Sequence, residues 1–85
     1  MKVLVYDTYV PKDENTVMHF DILVKDGDSA ENVYKYGKEY LDKKGVSDFE
    51  LTPKKCKFCH METAPKEVED SVTKKGYYII EMENC

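Results

Sequence analysis

The chain contains no arginine: its 13 basic residues are all lysine, set against 17 acidic residues for a net charge of −4. Without guanidinium forks there is no bidentate grip on a phosphate or a guanine edge, and the acidic pI of about 5.1 points the same way, which counts against a dedicated nucleic-acid binder. No apolar run approaches the roughly 18 to 20 residues of a membrane span. Met1-Lys2 followed by Val3-Leu4-Val5-Tyr6-Asp7 also lacks the unbroken apolar stretch of a secretion signal. The expected location is therefore the cytoplasm. The sequence has no glycine-rich phosphate loop, no Ser-His-Asp spacing and no carboxylate pair marked as catalytic, so no catalytic residue is assigned.

What is present suits one small folded domain spanning residues 1–85. Hydrophobic residues make up 41% and charged residues 35% of the 85 positions, enough for a modest core and too apolar for a disordered chain. Residues 2–10 and 17–25 are rich in β-branched and aromatic side chains, with the polar stretch Pro11–Thr16 between them. They read as an antiparallel hairpin with a loop longer than two residues. Met18, Phe20, Ile22 and Val24 form one apolar face of the second strand, and His19 and Asp21 point to the other. The register that would decide whether Asp7 and Tyr9 share that polar face is not fixed by the turn.

Asp28 or Ser29 caps a first helix, in which Ala30, Val33, Tyr34, Gly37 and Leu41 make the buried stripe and Lys43-Lys44-Gly45 makes the end. Gly37 costs roughly 1 kcal/mol in helix propensity, which close packing on the sheet would offset. Val46–Thr52 is a weaker strand, residues 54–62 read as a connection, and Thr63-Ala64-Pro65 starts a second helix with a narrow stripe of Ala64, Val68 and Val72. Tyr77-Tyr78-Ile79-Ile80-Glu81-Met82 is the last strand. The expected fold is an α+β two-layer sandwich of order β-β-α-β-α-β, a mixed four-stranded sheet with two helices mainly on one face.

The one recognisable motif is Cys56-Lys57-Phe58-Cys59-His60. Read literally it attaches c-type haem, but the strand-rich surroundings and the missing export signal count against haem. Zinc suits the ligands better: Cys56, Cys59 and Cys85 with His60 or His19 could supply four donors, although the second half of the usual four-ligand pattern is absent. Cys-x-x-Cys is also the spacing of thiol–disulfide oxidoreductases, with Cys56 as nucleophile, Cys59 as resolving thiol and three nearby lysines favouring a thiolate. A third reading makes Cys56, Phe58 and Cys59 plain packing residues. These alternatives stay open.

His19 and Asp21, with Tyr9 or Asp7, could form a site where a carboxylate orients an imidazole for general-base work. A surface ladder of cross-strand pairs without chemistry is the simpler expectation. Tyr36 and Tyr40 would leave some aromatic surface free for a partner or a dimer contact.

In the stretches Val5–Val10, Met18–Asp21, Cys56–His60 and Gly76–Cys85 the chain resembles a small bacterial family of uncharacterised proteins catalogued as a domain of unknown function. The resemblance spans nearly the whole chain. It implies a lone α+β domain and assigns no activity, cofactor or catalytic residue. The expected function is a small binding or accessory domain with a zinc site at Cys56, Cys59, His60 and Cys85, the alternatives being a thiol–disulfide redox protein and a structural or partner-binding domain.

Overall fold

Both strands of the first hairpin are apolar on two faces over part of their length, and that property shapes the whole molecule. A computed structural model describes residues 1–46 and 51–85. It contains β1 (Lys2–Asp13), β2 (Thr16–Lys25), α1 (Ala30–Lys43), β3 (Cys56–Thr63), α2 (Lys66–Lys75) and β4 (Tyr77–Glu83). The α+β class and the order β-β-α-β-α-β are those expected from the sequence.

The hairpin lies at the centre of the four-stranded sheet, whose order is β3-β1-β2-β4. Each neighbouring pair is antiparallel, so the sheet is not mixed. β3 runs parallel to β2 and β4 parallel to β1, but in each case the antiparallel neighbour lies between the two. The helices also divide between the two faces. Val33, Tyr40 and Leu41 of α1 pack with Tyr6, Val10, Met18, Phe20, Ile22 and Val24. Val68 and Val72 of α2, with Ala64, pack on Val3, Val5 and Leu23, residues of opposite parity on the same strands. Side chains of this size each stabilise the fold by about 1.5–3 kcal/mol when buried, so neither face of the hairpin can be left bare. The narrow α2 stripe noted in the sequence is what covers the second face.

The strands run further than the sequence pattern suggested. Asp13 pairs with Thr16, which leaves Glu14 and Asn15 as a tight turn in place of the longer loop, and the Asn15 N–H donates to Asp13 Oδ1 at 2.9 Å. Pro11 is accommodated inside β1 because it pairs with Val17 beyond the reach of β3 and β4, where its missing N–H interrupts no flanking ladder. The strand expected at 46–52 is not found at Val46, Leu51 or Thr52, and its residues 47–50 lie outside the described residues. The third strand is instead Cys56–Thr63, so the cysteine motif sits on an edge strand and not on a connection.

Ser29 caps α1, its Oγ accepting from the Asn32 N–H at 3.1 Å, and Asp28 Oδ1 accepts from the Ser29 N–H and from Asn32 Nδ2. A Cβ on Gly37 would run into Leu51 and Ile22, so the expected close approach of helix and sheet is present. Tyr40 is buried and Tyr36 stacks on Tyr77 at 5.0 Å, so neither ring forms the free aromatic surface expected of them.

Candidate functional site

The hairpin register assembles a polar patch on the face that α2 covers. Asp7 pairs with Asp21 and Tyr9 with His19, and residues two apart on a strand share a face. Beyond Val3, Val5 and Leu23, the apolar side chains on this face therefore give way to Asp7, Tyr9, His19 and Asp21. His19 Nε2 lies 2.5 Å from Asp7 Oδ1. The Tyr9 ring stacks on the imidazole, with centroids 4.3 Å apart and planes 11° from parallel, which fixes the rotation of the His19 ring.

One ligand atom each from Asp7, His19 and Asp21 can be chosen so that all lie within 4.8 Å of one another, and among the described residues this is the group of three or more ligand-type side chains that gathers so closely. An ion with bonds of about 2.0–2.2 Å spaces its ligands by about 3–4 Å, so small side-chain rotations would close the set around one ion. The Asp7 and His19 side chains are 33% and 22% exposed, which leaves the outer side of the group open to solvent.

Like charges placed directly opposite on a ladder repel, and here one of them is also cut off from water. Asp21 is 8% exposed. Burial, then the hydrogen bond and charge of Asp7, push its carboxyl up to about 6, while the charges of His19 and His60 pull the other way. A proton on Asp21, or a cation beside both carboxylates, relieves the repulsion between them. The negative charge of Asp7 also raises the Tyr9 hydroxyl.

Both flanking strands are irregular beside this patch. On β3 the pairing steps from His60 opposite Val5 to Phe58 opposite Tyr6, leaving Cys59 as the extra residue. On β4 it steps from Glu83 opposite His19 to Glu81 opposite Phe20, leaving Met82 over. Such bulges re-aim side chains and are frequent beside functional sites.

The structure does not gather Cys56, Cys59, His60 and Cys85. Cys56 is buried on the α1 side, where Thr8 Oγ1 donates to its Sγ at 3.3 Å, and burial pushes its thiol up, away from an activated nucleophile. Cys59 is exposed at the bulge. His60 shares the opposite face with Val5, and its Nε2 is 2.6 Å from Glu62 Oε1. Cys85 follows β4 at the far edge, its thiol donating to the carbonyls of His19 and Glu83 at 3.4 and 3.3 Å. The edge strands β3 and β4 stand three strand spacings apart, about 14 Å.

Of the residues that do converge, His19 and Asp21 share a face by the alternation of β2, and Asp7 joins them through the hairpin register. The signal that fixes it is Asp13-Glu14-Asn15-Thr16, a short polar turn whose Asp13 side chain binds the Asn15 N–H.

Among the described residues, no helix is long and apolar enough to cross a membrane. Residues 1–82 match the family described as "Domain of unknown function (DUF2024)". The chain is similar to a solved structure, the NMR structure of protein NE1680 from Nitrosomonas europaea, a structural genomics target. The two share 38% sequence identity with a TM-score of 0.85, over 100% of this chain and 99% of that one. No curated protein matches the chain.

Proposed function

The chain belongs to the DUF2024 family of domains of unknown function, and we propose that it is a small binding domain for a divalent cation held by Asp7, His19 and Asp21. The observation that carries this reading is Asp21, a residue only 8% exposed, whose carboxylate faces a second carboxylate and an imidazole, with one ligand atom from each of the three within 4.8 Å of the others. A cation of charge two offsets both carboxylates at once, whereas a proton neutralises only one of them.

Two carboxylate oxygens and one imidazole suit a first-row ion such as Zn(II) or Mn(II) better than a soft thiolate-seeking one. Three protein ligands on a solvent-open face leave coordination positions for water or a bound molecule. An ion at Nε2 would take the place of the hydrogen bond between His19 Nε2 and Asp7 Oδ1. The Tyr9 ring against His19 acts as the outer support that orients a metal-ligating imidazole. The binding-domain function expected from the sequence is kept, with this ligand set in place of the cysteine set. The exposed Cys59 thiol supports a reducing, cytoplasmic setting.

Calorimetric titration of the EDTA-stripped full chain with Zn(II) and with Mn(II) tests the reading. One ion bound per chain, with a rise in Tm, is expected. No uptake of either ion at roughly a hundredfold excess over protein would overturn it.

A further inference from the structure

We propose that β3 is a self-association edge, pairing antiparallel with β3 of a second copy so that the two sheets become one eight-stranded sheet. β3 is an outer strand of the sheet, and an outer strand presents a row of backbone N–H and C=O groups that no neighbour uses. Seven of its eight residues are exposed, among them Phe58 at 54% and Met61 at 48%.

The Cys59 bulge makes the strand self-complementary. Two identical edges that pair antiparallel are related by a two-fold axis perpendicular to the sheet, so each residue must meet a partner on its own face. In a regular strand Phe58 and Met61, three apart, would lie on opposite faces. Here they lie on one face, because Phe58 sits beside Tyr6 and Met61 beside Leu4, two positions apart on β1. Lys57, beside Asp7, and Glu62, beside Val3, share the other face for the same reason. One register then satisfies the whole strand. It sets Phe58 against Met61, Lys57 against Glu62 and His60 against its own copy at the axis, and symmetry makes each of the first two pairs twice.

Cross-strand pairs of aromatic with apolar and of opposite charge are the stabilising kind. Among the described residues Lys57 appears in no ion pair, whereas Glu62 meets His60 in its own strand. Sliding the copies by one residue on the same face would set Phe58 against Phe58 or Met61 against Met61 and separate Lys57 from Glu62. The other outer strand, β4, carries Glu81 and Glu83 and no basic residue, so two copies cannot balance charge there.

The test is sedimentation equilibrium of the full chain over a range of concentrations. A mass approaching twice the 9.9 kDa of one chain is expected at high concentration, and it falls toward one chain on dilution. Lys57→Glu and Glu62→Lys should each weaken association at least tenfold, and the double variant should restore it. Far-ultraviolet circular dichroism checks that every variant is folded, and an equimolar mixture of the two single variants should associate again. A wild-type chain that stays at 9.9 kDa throughout would overturn the proposal. So would a dimer that neither single change weakens, which would mean that another surface pairs.

Discussion

Asp7 and Asp21 face each other across the central ladder of the sheet, and the second of the two is nearly sealed from water. A fold selected for stability alone would place an apolar or an oppositely charged pair at this position. The expense of keeping two carboxylates here is the physical reason for regarding the patch as a site.

That expense should appear in the pH dependence of the metal-free chain. Asp21 titrates near 6 in the folded state against an ordinary value of 3.8. The folded chain therefore binds this proton more tightly than the unfolded chain, and stability rises as pH falls through about 6 toward 4. The gain lost at neutral pH is on the order of 2 kcal/mol. Asp21→Asn should remove this slope and stabilise the metal-free chain at pH 8, as read by urea unfolding at several pH values. A slope unchanged in Asp21→Asn would contradict the burial argument.

Gly37 should resist replacement although it lies inside a helix. Alanine is favoured by roughly 1 kcal/mol in helix propensity, but its methyl group would collide with Leu51 and Ile22, and overpacking of this kind costs about 1–3 kcal/mol. Gly37→Ala is expected to lower the urea midpoint with an unchanged slope. A raised midpoint would show that the Leu51 side chain yields freely.

The thiols should differ in reactivity. Cys59 is exposed and should be alkylated by iodoacetamide first. Cys56 is buried against Thr8 with a raised thiol, and should react only when the chain unfolds. Peptide mass analysis after timed quenching reads this directly. Equal rates at Cys56 and Cys59 in the folded chain would revive the thiol–disulfide reading.

The elements were legible in the sequence because they rest on local signals: the alternation of Met18, Phe20, Ile22 and Val24, the Ser29 cap, and the lysine-glycine ending at Lys43-Lys44-Gly45. Strand order was not, since it depends on which side of the hairpin each later strand joins. Both faces of β1 were in fact written in Val3-Leu4-Val5-Tyr6, an uninterrupted apolar run, and such a run signals a strand buried on two sides. The site was half legible. His19 and Asp21 announce a polar face by their alternation, but Asp7 joins them only through a register set at Asp13 and Thr16. The cysteine motif drew attention because its spacing is recognisable, yet spacing along a chain says little once a bulge and a sheet face intervene. Cys56 points into the α1 core, while His60 lies on the other side.

The proposed ion is held by Asp7, His19 and Asp21 and not by the cysteines. Equilibrium dialysis against Zn(II), with metal per chain read by elemental analysis, separates the two sets in one comparison. Wild type and Cys56→Ser/Cys59→Ser/Cys85→Ser should each retain one ion per chain, and His19→Ala, folded by circular dichroism, should retain none. Retention by His19→Ala together with loss in the cysteine-free variant would contradict the account.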